Sequence, residues 1–417
     1  MSGSKPFAIS KHAVWEAWQR VRANKGAAGI DEQSIQAFEQ DMKNNLFKLW
    51  NRLSSGSYFP PPVKAVEIPK RGSSGVRVLG VPTVADRVAQ TVAAMALEPS
   101  VEPMFHPDSY GYRPGRSALD AVGACRERCW RSDWVVDLDI RAFFDSIDHG
   151  LLLRAVQRHV TEEQRWIVLY VRRWLTAPLQ SADGKLLARD CGSPQGSAIS
   201  PLLANIFLHY AFDAWMAREH PGIRFERYCD DVIVHCRSQQ QAQQLRDAIA
   251  ARLAACGLEL NQAKTRVVYC KDSHRRGAYA QVRFDFLGYT FRPRLAVGRR
   301  GEGFVSFAPA VSDDAAKRMR QQLRRWRLHL RSGQTLADLA QTINAVIRGW
   351  IGYYGRFRVS ALVGVFRHLN DHLVRWAMRK YKRLHRSYRQ ARRFLAGVAR
   401  REPGLFAHWK LVQPSGR

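Results

Sequence analysis

The chain has 417 residues, with 66 Lys and Arg against 36 Asp and Glu and a formal net charge of +30 at pH 7. Such a length supports two or three packed units with a sizeable core and needs no covalent staples. A surface this cationic repels itself unless it meets a polyanion, so nucleic acid is the expected partner class and a membrane is not: no apolar run approaches the roughly 20 residues that cross a bilayer, and the N-terminus lacks the apolar core of a secretory signal.

In chain order, residues 10–55 read as helical. Trp15, Trp18 and Val21, then Ile35, Phe38, Met42, Leu46 and Leu49, recur at three- and four-residue steps. Between them lies a glycine-rich loop, NKGAAGID, at 24–31. From about 62 to 295 strand-like runs (VKAVEIPK, VVDLDI, FERYCDDVIVHC, TRVVYC and FDFLGYTF) alternate with helices beginning near Ser117 and Ser200. Ser200 followed by Pro201 has the form of an N-cap with proline at the first helical position. This mixture predicts an α+β sheet domain. From about 312 the chain turns helical and more basic, with Ser312 and Thr335 as expected N-caps, which makes this the expected domain boundary. The resulting division is 1–60, a helical extension; 61–300, the sheet domain; 310–385, a helical domain; and 386–417, a short basic tail that binds DNA or RNA.

The seven cysteines, Cys125, Cys129, Cys191, Cys229, Cys236, Cys256 and Cys270, are odd in number and contain no C-x-x-C pair. They read as reduced, mostly buried thiols of a cytosolic protein. Cys125 and Cys129 lie four apart, but no second ligand pair has zinc-site spacing.

Chemistry is concentrated in two strand-like segments. In WVVDLDIRAFFDSIDH, residues 134–149, alternation sends Val136, Leu138 and Ile140 to one face and Asp137 and Asp139 to the other. In RYCDDVIVHC, residues 227–236, Asp230 and Asp231 interrupt an apolar, β-prone run in the manner of a hairpin turn. Carboxylates gathered at neighbouring strand ends repel one another unless cations neutralise them. Oxygen ligands favour Mg²⁺, and two such ions roughly 3.5–4 Å apart can activate an attacking hydroxyl and stabilise a leaving pyrophosphate. A lone Asp-Asp pair is more often a bare surface turn; Asp139 and the cationic chain beside it favour the metal site.

These segments resemble the reverse transcriptase/maturase proteins encoded by bacterial group II introns. YCDD at 228–231 is similar to the Y-x-D-D signature of reverse transcriptases, and DIRAFFDSIDH at 139–149 to their aspartate-bearing block. NKGAAGID, the fingers block IPKRGSSGVRVLGVPTVADRVAQ at 68–90 and HPDSYGYRPGRSALDAV at 106–122 follow the family order. So do GSPQGSAISPLLANIFLHY at 192–210, LELNQAKTRVV at 258–268, FDFLGYTFRP at 284–293 and the thumb-forming maturase segment RGWIGYYGRF at 348–357.

The resemblance implies a right-handed polymerase with fingers, a ferredoxin-like palm and an all-helical thumb, of the compact type without a nuclease domain. It implies an RNA-directed DNA polymerase in which Asp139, Asp230 and Asp231 hold two Mg²⁺ ions, with Mn²⁺ able to substitute. Phe144 would lie under the sugar of the incoming dNTP and reject a 2′-hydroxyl. Lys70 and Arg77 would close on its triphosphate, Gln195 would line its pocket beside Gly196, and Lys264 would give a proton to departing pyrophosphate. Asn24, Lys25 and Gly26 of the extension loop, with Arg348, Arg375, Arg379, Lys380, Lys382 and Arg383, would contact template, primer or intron RNA. In 375–394, Trp376, Tyr381, Tyr388 and Phe394 interleave with cations, as in surfaces where aromatics stack on bases or pack beneath them. Trp326, Trp350, Tyr353 and Tyr354 are expected in the thumb core.

The expected partners are therefore an RNA template, a DNA primer, dNTPs and group II intron RNA, in a bacterial cytoplasm or nucleoid. Three positions depart from the family pattern: Cys229 stands where Y-A-D-D has Ala, Ser197 at the second Gly of P-Q-G-G, and Gly352 at an Asn beside the maturase tyrosines. None is a metal ligand. They leave open an intron-independent enzyme of DNA repair or defence; a separate alternative is an RNA-binding maturase with little polymerase activity, against which the intact Asp139, Asp230 and Asp231 argue.

Overall fold

Trp18 stacks on Phe38 at 4.8 Å and ties the first helices of the chain together. This is a computed structural model, and it describes residues 5–69, 75–298 and 300–414. Helix α1 (Lys11–Ala23) starts at Ser10, whose hydroxyl accepts from the Ala13 amide, and buries Val14, Ala17, Trp18 and Val21. Trp15, expected on the same face, is 44% exposed. The next periodic run is two helices, α2 (Ile35–Gln40) and α3 (Met42–Ser54), because Asp41 leaves helical geometry at φ −120°, ψ 37°.

The chain divides into two compact units: Met1–Ala121 with Val136–Val267, and Val122–Val135 with Val268–Arg417. In the first, strands β1 (Val63–Pro69) and β2 (Val76–Val81) form an antiparallel hairpin that sets Arg77 opposite Ile68. Helix α4 (Val84–Val101) follows, capped by the Thr83 hydroxyl. Helix α5 (Ala118–Cys129) starts after Ser117, whose hydroxyl accepts from the Asp120 amide. Strand β3 (Trp134–Asp139) leads to α6 (Phe143–Ser146), α7 (His149–Gln157) and α8 (Arg165–Thr176). Short strands β4 (Leu179–Gln180) and β5 (Leu186–Leu187) then extend the first hairpin into the order β2-β1-β4-β5.

Helix α9 (Ser200–Leu208) has Pro201 in its first turn, but Ser200 does not cap it: its hydroxyl bonds the Ser193 hydroxyl at 2.6 Å, and no side chain caps the helix. A π-helical turn, His209–Asp213, joins α9 to α10 (Ala214–Glu219). After the hairpin β6 (Arg224–Tyr228) and β7 (Asp231–Cys236), α11 (Gln239–Ala254) returns the chain to β8 (Arg266–Tyr269). The sheet order is β6-β7-β3-β8, so the first strand in sequence is central and the two crossovers carry α9 and α11. That β-α-β-β-α-β path is the ferredoxin-like palm.

The second unit contains a sheet of β9 (Phe284–Phe286), β10 (Tyr289–Val297) and β11 (Gly303–Val311). Four helices follow: α12 (Asp313–Arg325), α13 (Leu336–Arg358), α14 (Val363–Lys380) and α15 (Tyr388–Arg401). Ser312 caps α12, and Thr335 forms a reciprocal capping box with Asp338 on α13. The segment expected as a separate basic tail shares the helical core: Ala391, Leu395, Ala399, Phe406 and Trp409 cluster with Leu339, Ile343, Phe366 and Trp376. Within the basic stretch 375–394, α14 stops at Lys380 and Ser387 caps a new helix by accepting from the Gln390 amide.

Candidate active site

Asp139 ends the central strand β3, and the β6-β7 hairpin sets Asp230 and Asp231 in and beside its turn. Tyr228 pairs with Asp231, leaving Cys229 and Asp230 as a two-residue turn. Cys229 takes a left-handed φ of 59° with its side chain buried. Asp139 is held from the other side, where its carbonyl accepts from the Asn261 amide at 2.8 Å and Ile140 bridges Leu260. Lys264 brings its ammonium to 3.5 Å from Asp139 Oδ2.

Enclosure by surrounding protein, with the charges of Asp230 and Asp139, pushes the Asp231 carboxyl up to about 7, while Lys264 and Arg77 pull it down. Among the described residues the three carboxylates are not gathered with one oxygen of each within 4.8 Å of the others.

A buried clamp stands behind the hairpin. Arg227, fully buried on β6, donates from Nε and Nη2 to the two carboxylate oxygens of Asp213 at 2.7 and 2.6 Å. Its Nη1 donates to Asn205 Oδ1 at 3.0 Å and to the Cys229 carbonyl at 3.2 Å, inside the carboxylate-bearing turn. The π-helical turn supplies Asp213, in keeping with the frequency of such turns at functional sites. Asn205 also donates to the Gly111 carbonyl at 2.7 Å, and a Cβ on Gly111 would lie 2.6 Å from the Cys229 nitrogen. Sequence patterning missed Arg227, Asp213 and Asn205. The available signal was charge and amide side chains inside otherwise apolar runs.

On the other flank Phe143, not Phe144, takes the core position; Phe144 is half-buried beside it, ring centres 5.2 Å apart, and its carbonyl accepts from the Ser193 amide. Gln195 lines a cavity of about 260 Å³ together with Val78, Gly80, Asp145 and Arg189. Gly196, at φ 114°, lies where a Cβ would approach the Gly80 carbonyl oxygen to 2.6 Å, and the Gly80 amide donates to the Gln195 carbonyl. Ser197, a departure from the family pattern, is anchored: its hydroxyl donates to Gln90 Oε1 at 2.6 Å, and the Ala198 amide donates to the same oxygen at 2.8 Å. Gln90 is oriented by donating to Asp86 Oδ2 at 2.9 Å, while Tyr58 and Trp174 donate to Asp86 Oδ1. Burial pushes the Asp86 carboxyl up to about 6 despite those three donors. Arg77 is exposed on β2, and Lys70 lies outside the described residues.

The reverse transcriptase (RNA-dependent DNA polymerase) family matches residues 68–291, more than half of the chain. This chain belongs to that family. The group II intron maturase-specific domain matches residues 316–395 of this reverse transcriptase. Protein YkfC of Escherichia coli is 29% identical over 365 residues, 77% of this chain and 90% of YkfC. The group II intron-encoded protein LtrA of Lactococcus lactis is 33% identical over 205 residues, 49% of this chain but 33% of LtrA. A solved telomerase from Candida albicans, in complex with a telomeric RNA fragment, aligns at TM-score 0.46 and 11% identity over 91% of this chain and 69% of that one.

The enzyme is therefore an RNA-directed DNA polymerase carrying a maturase domain, and polymerases of this family depend on metal. The donor set fits: three carboxylates, one of them pushed up to about 7 by burial and then by its charged neighbours, would suit a hard divalent cation. Among the described residues no helix is long and apolar enough to cross a membrane.

Of the residues expected to meet template, primer or intron RNA, Asn24 and Lys25 are exposed, and Gly26 lies under the Arg87 guanidinium, which donates to the Ala27 carbonyl. Arg348, Arg375, Arg379, Lys382 and Arg383 are exposed. Lys380 is engaged within the fold, donating to the carbonyls of Ser332 and Gln334 at 3.0 and 2.8 Å. Trp376 is fully buried and donates to the Arg331 carbonyl, and Tyr381 packs edge-on against Phe394, so these rings underlie the surface rather than face it. Gly352 faces open space on α13.

Proposed function

We propose that this reverse transcriptase extends a DNA primer along an RNA template with dNTPs and two Mg²⁺ ions, and that its maturase domain binds group II intron RNA. The supporting observation is that β3 and the β6-β7 hairpin bring Asp139, Asp230 and Asp231 to one end of the palm sheet, where Asp231 is pushed up to about 7. Bound there, Mg²⁺ or a substituting Mn²⁺ would lower the pKa of the primer hydroxyl and neutralise the leaving pyrophosphate.

The chain's own residues supply position and selectivity. Asp139, Asp230 and Asp231 hold the cations, and Lys264, 3.5 Å from Asp139, gives a proton to the departing pyrophosphate. Phe144 blocks a ribose 2′-hydroxyl. Gln195, on a loop fixed by Gln90, lines the nucleotide pocket, and Lys70 and Arg77 meet the triphosphate. Arg348, Arg375, Arg379, Lys382 and Arg383 contact RNA phosphates. This reading carries with it an RNA- or nucleoid-associated place in a bacterial cytoplasm.

The test is extension of a labelled DNA primer on an RNA template with dNTPs and Mg²⁺, comparing wild type with Asp230→Ala/Asp231→Ala. The double variant should lose at least about a thousandfold in rate while retaining affinity for intron RNA. Well-folded wild type that binds RNA and adds no nucleotide would reject the polymerase reading.

A further inference from the structure

Tyr112 is a large aromatic residue held in left-handed backbone, at φ 55°, with 54% of its surface exposed. Bulky residues seldom adopt this conformation, and it persists only where the surroundings impose it. Here both chain neighbours do. Gly111 is pressed against the Cys229 amide, with its carbonyl held by Asn205, and the preceding Tyr110 amide donates to the Arg227 carbonyl at 2.8 Å. On the other side Arg113, its side chain 6% exposed, binds Glu102 through Nε and Nη2 at 2.9 and 2.7 Å, and donates from Nη1 to the carbonyls of His106 and Ser109, each at 2.8 Å. Two clamps thus hold one half-exposed ring in place.

The ring stands beside the turn that carries the carboxylates. Its centre is 6.2 Å from that of Tyr228 at an interplanar angle of 45°. Partial enclosure, with the groups of Cys229, Tyr228, Asp230 and Asp231, pushes its hydroxyl up to about 12, so it remains a neutral donor. A primer whose 3′-hydroxyl reaches those carboxylates must lay its terminal nucleotide along whatever flanks the turn.

We propose that Tyr112 is a substrate-contacting residue whose ring, next to Tyr228, packs against the 3′-terminal nucleotide of the primer. The proposal rests on the polymerase reading above. Strain at a position that serves a ligand gives opposite signs on removal: Tyr112→Gly relieves the backbone and loses the contact.

The test uses the full chain and a primer–template with 2-aminopurine as the 3′-terminal primer base, whose fluorescence falls on stacking. Wild type and Tyr112→Phe should quench it. Tyr112→Gly and Tyr112→Asn, both tolerant of left-handed backbone, should lose the quench and slow the first nucleotide addition about 5- to 150-fold, the range of one base–aromatic stack, with a Tm equal to or above wild type. Moving the 2-aminopurine well upstream should abolish the difference. A Tyr112→Gly variant with lowered Tm and unchanged quench and addition rate overturns the contact and makes Tyr112 structural. Because quenching needs no turnover, a wild type that quenches without adding nucleotide rejects the polymerase reading and leaves the contact standing.

Discussion

Phe143 and Phe144 are adjacent and chemically identical, yet their environments divide their roles. Phe143 is buried against Phe207 and fills the core, while Phe144 keeps part of its ring at the surface of the palm. Phe144→Ala should therefore admit ribonucleotides at little cost in stability; competitive incorporation of dNTP and NTP measures this, and an unchanged preference would assign the guard to another residue. Asp86 carries a different kind of information. Its folded pKa, about 6, lies above its ordinary 3.8, so the ionised form is the one the fold disfavours. That cost is fully present above pH 6 and is relieved as pH falls through 6 toward 4. Relative to Asp86→Asn, wild type should gain about 2 kcal/mol of stability between pH 7.5 and 4.5 in denaturant unfolding. A difference that does not change with pH would mean that Asp86 titrates in the fold as it does in the unfolded chain.

At the scale of elements, the site depends on three backbone segments meeting at one hairpin: β6, the turn Cys229–Asp230, and the stretch around Gly111. Gly111 has no room for a side chain because a Cβ would meet the backbone nitrogen of Cys229 at 2.6 Å and the Tyr228 carbonyl carbon at 3.1 Å. Neither of those atoms can swing away as a flexible side chain would, so Gly111→Ala must displace the turn itself. A displacement near 1 Å at reacting groups costs about a hundredfold in rate. Single-turnover addition at saturating dNTP should show that loss with primer–template affinity near wild type, and a rate within twofold of wild type would mean the turn tolerates the push. Ser197 works in the same way on the loop that carries Gln195. Its hydroxyl gives the loop a hydrogen bond to Gln90 that a glycine could not make.

At the scale of the molecule, the net charge of +30 is laid over two units with separate cores. In the second, the last part of the chain is both basic surface and structural core. Arg389, Arg393 and Arg400 are exposed on α15, whereas Leu395, Ala399, Phe406 and Trp409 are buried. The same segment satisfies buried polar groups: Asn344 donates to the Leu405 carbonyl and accepts from the Ala407 amide, and Asn370 Oδ1 accepts from Trp409. Removing residues 386–417 should therefore abolish cooperative unfolding of the helical unit, since burying one Phe or Trp is worth about 3–5 kcal/mol. Arg389→Gln/Arg393→Gln/Arg400→Gln should instead keep the Tm and flatten the salt dependence of RNA affinity. A truncated chain that melts like wild type would show that the segment is only a tail.

Much of this was legible in the linear chain because it depends on local patterns. The palm strands, the carboxylate-bearing turn, and the caps at Ser312 and Thr335 follow from alternation, turn chemistry and N-cap preference, which act over a few residues. Motif order carried the family. What local pattern could not supply was anything decided by distant partners. Ser200 looks like a cap, yet its hydroxyl turns to Ser193. Lys380 looks like a nucleic-acid contact, yet its ammonium donates to backbone carbonyls, and of the two places open to Trp376, on bases or beneath the surface, the fold takes the second. In the buried clamp Arg227 reaches Asp213, 14 positions away, and Asn205, 22 away, and Ser197 bonds Gln90 across 107 positions. By itself the sequence determined which chemistry the chain carries, because ligand identity is a property of residue type. Only the tertiary structure decided which groups hold that chemistry in place, because burial and hydrogen-bond partners are set by where the chain returns.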